Sequence, residues 1–507
     1  MAIIGKIIKT GITLNQKISM GLTADENPQL NQLKELLNTA KDTSFGKYYG
    51  FAEMLKCDDI ISRFKAEVPI HDYNAMHNNW WNKQQIYPDI TWPGRPEYFA
   101  LSSGTTGKSS KRIPMTSDFL QTMRDVGRSL IRDLPSFDFR EELFESEILM
   151  LSSTSQLEKN KDGFLEGEIS GINVSNFPGY YDLFYRPGKE IAGIKNWDER
   201  VKAIVRAAPE WNIGAIAGIP SWVLLLLQEI VKQHNLKSIH EIWPNFSVYA
   251  SGGVAYETYR KDFDALCSKP ITILDTYLAS EGFFAYTARP NTMAMKLALN
   301  HGYYYEFIPF DSRGVDETGT LLKNPVSHSI DEVEENLEYV MIVSSCAGAW
   351  RYSIGDTIKF TDKAENEILI TGRTKFYLNV VGSQLSEEKM DAAILEISDK
   401  LRISANEYVV AGIKNEAGNY THQWVIVTDD QFDAGEFGRL LDKSLQSANK
   451  NYQVARGKAL KNINVKGISK KVYHNYLAEN KKKGGQIKTP KVMQGEQMKS
   501  FMEFIDQ

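Results

Sequence analysis

Between Gln29 and Ala40 the leucines Leu30, Leu33, Leu36 and Leu37 recur at helical spacing, which predicts an early helix with one apolar face. Ahead of it, Lys6, Lys9 and Lys17 interrupt the isoleucines of Met1 to Met20, so this stretch predicts an amphipathic helix or mobile arm and not a secretory signal. Strand-like apolar runs follow at Ser146–Ser152, Ile213–Ile219, Phe246–Ala250, Ile271–Leu278 and Leu337–Ser344, separated by helix candidates such as Trp197–Ala208. Such alternation predicts a largely α/β body. A new rhythm begins near Gly382, with a helix from Leu385 to Ser398, strands at Tyr408–Ile413 and His422–Val427, and a helix from Ala434 to Ala448. That is enough material for a compact α+β domain of its own, so two domains are expected, 1–378 and 379–507. Their boundary falls between Gly372-Arg373-Thr374-Lys375 and Gly382-Ser383.

Size and charge narrow the classes. A chain of 507 residues exceeds what one core usually serves. Its 59 Lys and Arg against 64 Asp and Glu leave a net charge of −5, which argues against a dedicated nucleic-acid surface. The most apolar stretch, Ile213 to Leu227, is short of the ~20 residues that cross a bilayer, and Gly218, Pro220 and Ser221 interrupt it, so it is expected to be buried and not membrane-spanning. Cys57, Cys267 and Cys346 lie far apart without metal-ligand spacing, which suits a reducing cytoplasm, no zinc site and structural burial of the thiols. No G-x-S-x-G elbow or HExxH motif occurs, and the eight histidines form no ligand pattern. Asp331-Glu332-Val333-Glu334-Glu335 reads as a solvated turn in preference to a cation site, and Lys481-Lys482-Lys483-Gly484-Gly485 as a basic, flexible segment.

The chemistry concentrates in Leu101-Ser102-Ser103-Gly104-Thr105-Thr106-Gly107-Lys108-Ser109-Ser110-Lys111. Small residues let backbone N–H groups approach a polyphosphate, hydroxyls donate further bonds, and lysine supplies charge. By itself such a segment is equally a flexible surface loop. Gly107-Lys108-Ser109 matches the end of the Walker A pattern, but the first glycine of that pattern falls on Ser102, so a P-loop NTPase needs a departure at a required position.

Ser102-Ser103-Gly104-Thr105-Thr106-Gly107 resembles instead the phosphate loop of the adenylate-forming superfamily, and three further stretches follow in that superfamily's order. They are Ser251-Gly252-Gly253 after an apolar strand, Thr276-Tyr277-Leu278-Ala279-Ser280-Glu281-Gly282, and Arg351-Tyr352-Ser353-Ile354-Gly355-Asp356. Within the superfamily the chain resembles the acyl acid amido synthetases known from plant auxin response, the Gretchen Hagen family, and their bacterial relatives. The residues that carry this are Thr43-Ser44-Phe45-Gly46-Lys47, Val68-Pro69-Ile70-His71-Asp72-Tyr73, Tyr304-Tyr305-Glu306-Phe307-Ile308-Pro309, Asn449-Lys450-Asn451-Tyr452 and Gly485-Gln486-Ile487-Lys488-Thr489-Pro490-Lys491. The resemblance covers nearly the whole chain.

It implies a large N-terminal adenylate-forming domain binding ATP and an acyl acid, and a smaller, mobile C-terminal domain. The implied reaction is ATP-dependent conversion of a carboxylic acid to an acyl adenylate with release of pyrophosphate, then transfer to an amino acid as an amide. Ser102, Ser103, Gly104, Thr105 and Thr106 would hold the phosphates, with Lys108 and Lys111 as further charge or as solvent-facing residues. Gly252 and Gly253 would border adenine, and Thr276 and Tyr277 would line the nucleotide. Glu281 is assigned to Mg²⁺, because a hard cation bridging phosphates prefers carboxylate oxygen; a helix-cap glutamate is the plain alternative. Asp356 presents two acceptors to ribose hydroxyls, or forms a tight turn. Arg373 would reach ribose at the hinge, or make an interdomain ion pair. Lys488, otherwise one lysine of a basic tail, would swing over the carboxylate and α-phosphate in the first half-reaction and then withdraw as the domain rotates. Ser170–Phe177 and Ile219-Pro220-Ser221-Trp222-Val223 sit where the family places its acyl pocket, and their apolar content equally suits ordinary core.

One position departs from the family: Ser353 stands where the motif carries arginine, and Arg351 is the nearest candidate to replace it. Three other functions stay open. They are an acyl ligase with a thiol acceptor such as coenzyme A, a P-loop NTPase, and a noncatalytic acyl-acid binding protein.

Overall fold

The computed structural model describes residues 3–21, 27–102, 111–177, 179–253, 256–316, 319–374, 378, 383, 385–405, 407–414, 420–458, 460–480, 491–493 and 495–506. The fold is α/β, a large N-terminal body followed by a smaller α+β unit. Among the described residues an eleven-stranded sheet forms the body's centre. Its order is Tyr303–Pro309, Glu338–Ser345, Ala349–Asp362, Glu367–Arg373, Met295–Leu297, Gly282–Tyr286, Thr272–Ala279, Val248–Gly252, Ile213–Gly218, Glu147–Met150 and Tyr185–Arg186. The strand Thr272–Ala279 is the seam, antiparallel to Gly282–Tyr286 and parallel to Val248–Gly252. Parallel strands need crossover helices. Trp197–Ala207 and Pro220–Gln233 supply them, closing over Ile213, Ile216 and Tyr249 in one apolar core. The expected strands all occur, shifted by one or two residues at their ends.

The leucine pattern yields the helix Pro28–Ala40, started by Asn27, whose side chain accepts from the Leu30 N–H. Leu33, Leu36 and Leu37 are at most 2% exposed. The buried face is wider than the leucines indicate, because Gln29 and Gln32 are also buried. Gln29 donates to the carbonyls of Leu299 and Tyr303 and accepts from the Tyr305 N–H, while Gln32 accepts from the Gly302 N–H. Two polar side chains thus lace the helix to a strand some 270 positions away. The N-terminal stretch is helical over Ile3–Gly21 and is held to the body by Gly5 N–H donating to Glu145 and Lys9 donating to the Phe139 carbonyl. No helix of the described residues is long and apolar enough to cross a membrane. Of the three unpaired cysteines only Cys346 is buried; Cys57 and Cys267 are partly exposed, contrary to the expected burial of all three.

A second, four-stranded sheet, Lys111–Met115, Tyr98–Ser102, Leu165–Gly167 and Glu158–Lys159, packs beside the first. In the C-terminal unit the helix Ala434–Ala448 stands as expected, and the strands are Glu407–Lys414 and Tyr420–Val427. A third strand, Leu460–Ile468, joins parallel to the second and was not foreseen. Its central residues Asn462, Ile463, Asn464, Val465 and Lys466 alternate polar and apolar, a short strand signal.

An ionic cluster sits where the C-terminal unit meets the strand of Arg373. Lys491 donates to both Asp391 oxygens at 2.7 and 2.6 Å and pairs with Glu387 at 3.1 Å, while Tyr408 donates to Asp391 at 2.7 Å. Burial alone would lower the Lys491 ammonium, but Asp391 and Glu387 outweigh it and hold it above its usual range. Lys491 is also fixed by its backbone, since its carbonyl accepts from Val410 N–H and Met493 N–H donates to the Val410 carbonyl. Lys491→Met strands the buried Asp391 carboxylate and takes the partner from the half-buried Glu387, and chemical unfolding is expected to show a loss of about 3–5 kcal/mol for the C-terminal unit.

Candidate active site

The phosphate-loop segment is closed at its foot by strand pairing. Ser102 lies opposite Lys111 in the antiparallel pair Tyr98–Ser102 and Lys111–Met115, so the two ends of the segment leave the sheet side by side. Ser103, Gly104, Thr105, Thr106 and Lys108 lie outside the described residues, as does Lys488. Lys111 stands over the Tyr73 ring at 5.3 Å, and the Tyr73 hydroxyl accepts from Arg112 N–H at 2.9 Å. The motif Val68–Tyr73 thereby supports the second strand of the loop.

Gly252 ends its strand opposite Thr276, whose hydroxyl donates to the Ser251 carbonyl at 2.7 Å. A Cβ on Gly252 would fall 2.7 Å from that hydroxyl oxygen, so the close approach of the two strands requires glycine. Gly253, at φ +90°, then turns the chain away in a conformation that side chains resist.

One step along the seam strand, Tyr277 donates its hydroxyl to Asp356 Oδ2 at 2.7 Å. Asp356 is 4% exposed and faces Arg373 across the pair Ala349–Asp362 and Glu367–Arg373, with Arg373 Nε 2.8 Å from Oδ1. Among the described residues Oδ1 has this ion pair and no aligned hydrogen bond. Asp356 in turn raises the Arg373 guanidinium above its ordinary range. Next to them Glu281 is buried, and burial lifts its carboxyl above the usual carboxylate range against the opposing pull of Lys111. Among the described residues the side chain that reaches this buried carboxylate at hydrogen-bond range is the Tyr352 hydroxyl, at 3.5 Å. Such a group fits a hard divalent cation. The described part of the predicted constellation, Ser102, Lys111, Gly252, Gly253, Thr276, Tyr277, Glu281, Asp356 and Arg373, thus gathers around the seam of the sheet. Tyr73 and Tyr352 join it although the sequence reading gave them no role; both flank residues already singled out in their motifs.

Arg351 does not join it. Its guanidinium makes two bonds of 2.8 Å to Glu306 and two of 2.6 Å to the carbonyls of Lys65 and Val68. Both side chains are buried, at 7% and 1% exposed. Four of the five N–H donors of this buried guanidinium are so occupied, and the suggestion that it replaces the arginine absent at Ser353 is corrected: Arg351 is structural. It also explains two motifs, because Glu306 comes from Tyr304–Pro309, and His71 clamps the same strand through bonds between its backbone and Arg351 and Ser353. Arg351→Ala leaves Glu306 unpaired and is expected to cost about 3–5 kcal/mol of stability, with the ATP affinity of the folded fraction unchanged in equilibrium binding.

Models of the GH3 family match the chain three times in order, the N-terminal domain over residues 17–208, the central domain over 296–369 and the C-terminal domain over 388–497. Indole-3-acetic acid-amido synthetase GH3.8 of Oryza sativa subsp. indica is 26% identical over 261 residues, 47% of this chain and 41% of that protein. Indole-3-acetic acid-amido synthetase GH3.2 of Arabidopsis thaliana is 23% identical over 224 residues, 40% of this chain and 39% of that protein. The chain spans less than half the length of these curated relatives. Among solved structures, AtGH3.15 acyl acid amido synthetase in complex with 2,4-DB has a TM-score of 0.78 at 16% identity, covering 97% of this chain and 96% of that one. A 2-hydroxyisobutyryl-CoA ligase in the postadenylation state, in complex with 2-HIB-AMP, has a TM-score of 0.60 at 11% identity, covering 94% and 91%. At these identities the likeness is one of fold. With three successive domain models matched in chain order, this chain belongs to the GH3 family.

Proposed function

We propose that the protein is an ATP-dependent ligase that adenylates a carboxylic acid and transfers the acyl group to an amino acid, forming an amide. The observation that carries this reading is the convergence of Tyr277, Asp356, Arg373 and Glu281 beside the foot of the phosphate loop. Asp356 Oδ1, ion-paired with Arg373 and without an aligned hydrogen bond among the described residues, would accept from a ribose hydroxyl. Gly252 and Gly253 leave room for the adenine along the strand ends, and Ser102 with the following Ser103, Gly104, Thr105 and Thr106 holds the phosphates. Glu281 would hold Mg²⁺, which supplies charge neutralisation between phosphate and carboxylate when bound. Lys488 brings a further positive charge to the developing bond. The division into residues 1–378 and 379–507 lets the smaller domain carry Lys488 to the site and away again. The three unpaired cysteines suit a cytoplasmic setting.

A thiol acceptor shares the first half-reaction, and the fold is common to both kinds of enzyme. Mass spectrometry of products formed with an amino acid and with coenzyme A separates them. The proposal expects an amide; a thioester alone overturns the acceptor assignment while leaving the adenylation.

A further inference from the structure

Beside the phosphate-loop strand lies a buried polar cluster with more hydrogen-bonding groups than partners. Arg200, on the helix Trp197–Ala207, is 3% exposed. A guanidinium keeps its charge wherever it is placed. Yet among the described residues its one hydrogen bond runs from Nη1 to the Ala192 carbonyl at 3.5 Å, and its Nε is buried without a partner. Among the described residues Tyr185 Oη, near Ser152, and Glu168 Oε2 are likewise buried without an aligned hydrogen bond. The three are close enough for Glu168 and Tyr185 to act electrostatically on Arg200. Burial pushes the Glu168 carboxyl up to about 7 and the Tyr185 phenol up to about 12. Native proteins leave few buried polar groups unsatisfied, and three in one place point to something that satisfies them.

Their position indicates what that is. Gly167 pairs with Ala100, so Glu168 follows directly alongside the strand that ends at Ser102 and opens the phosphate loop. Tyr185 pairs with Ile148 at the edge of the parallel strands. Arg200 stacks on Trp197 at 5.1 Å, and Trp197 meets Trp222 edge-on at 4.7 Å in the first turn of the helix that follows Ile213–Gly218. Ligands of open α/β sheets collect at the carboxyl ends of parallel strands. The cluster offers a guanidinium and a phenolic hydroxyl as donors, beside a carboxyl that burial drives toward its neutral form. Forked, positively charged donors in a desolvated place suit a planar anion best.

We infer that Arg200, Tyr185 and Glu168 form a subsite for a substrate carboxylate other than the one being activated. That group is either a second carboxylate on the acyl acid or the carboxylate of the amino-acid acceptor. The identity of the two substrates rests on the adenylating function proposed above; the carboxylate recognition does not.

The test is ligand binding to the intact chain without ATP, followed by the fluorescence of its tryptophans, of which Trp197 and Trp222 adjoin the cluster. One arm compares succinate with succinamate, the other alanine with alaninamide. In one arm the carboxylate is expected to bind about tenfold more tightly than its amide, the factor of one charge-assisted hydrogen bond. Arg200→Met should erase that preference, and Tyr185→Phe, which leaves the charges in place, should reduce it. Preference in the succinate arm assigns the subsite to the acyl acid, and preference in the alanine arm to the acceptor. No preference in either arm, or one that survives both Arg200→Met and Tyr185→Phe, overturns the inference. Absence of adenylation would contradict the proposed function without touching this result.

Discussion

Lys488→Ala is expected to lower acid-dependent ATP–pyrophosphate exchange by about 10²–10³-fold, the loss typical of removing one preorganised charge-stabilising group. Aminolysis of a preformed acyl adenylate should proceed as in the wild type. The asymmetry follows from where charge develops. In the first step a carboxylate attacks a phosphate, two anions meet, and an ammonium over the new bond lowers the barrier. In the second step the acyl carbon is attacked by a neutral amine, and no such meeting occurs. Lys488 stands three residues before Lys491, whose ion pairs and backbone bonds to Val410 fix the end of the segment that carries it. Equal loss in both half-reactions would show that Lys488 acts on the fold or on both steps, and would contradict its assignment.

The second large effect is expected at Glu281. E281Q keeps the shape and removes the charge, and exchange should fall by about 10²–10³-fold, with a higher Mg²⁺ concentration needed for half-maximal rate. Stability should move the other way. Burial raises the Glu281 carboxyl in the folded state, so the folded protein gains from the neutral form below the unfolded pKa and loses that gain as pH rises through the raised value. At neutral pH without Mg²⁺, E281Q is therefore expected to melt at a higher temperature than the wild type. The same carboxyl sets the pH profile. The carboxylate must be ionised to hold a cation, so protons and Mg²⁺ compete for it: wild-type exchange should decline on acidification, more Mg²⁺ should move that limb to lower pH, and E281Q should lack it. A variant that loses stability along with activity would mark Glu281 as a structural residue.

Much of this arrangement was legible because it depends on short-range chemistry. Leu33, Leu36 and Leu37 declare their helix by spacing, and the parallel strands declare themselves as unbroken apolar runs. The motifs around Gly252, Tyr277, Glu281 and Asp356 were legible through their resemblance to the adenylate-forming superfamily, and the fold brings them together at the seam of the sheet. What was hidden depends on partners distant in sequence. Gln29 and Gln32 look like solvent-facing positions until Tyr303 and Gly302 arrive with backbone groups to satisfy. The strand Leu460–Ile468 carries only a short alternation, Asn462 to Lys466, and is held by its parallel pairing with Tyr420–Val427.

Arg351, the nearest candidate for the arginine absent at Ser353, is turned away from the site by an irregularity of its strand. In the fold, Arg351 has φ +42° and lies where the pairing register slips between Val343 and Ser345. The irregularity aims its side chain at Glu306, whose place in the next strand but one no local pattern reveals. The Arg200 cluster was equally hidden, since Glu168, Tyr185 and Arg200 come from three segments that carry no common motif.

The central claim, that this fold binds ATP in order to activate a carboxylic acid, is tested most directly by pyrophosphate exchange into ATP across a panel of carboxylic acids with Mg²⁺. The account predicts exchange that requires one class of acid, with AMP and pyrophosphate as the nucleotide products once an acceptor is supplied. Nucleoside diphosphate and phosphate formed without any acid, or no exchange with any acid of the panel, would contradict it.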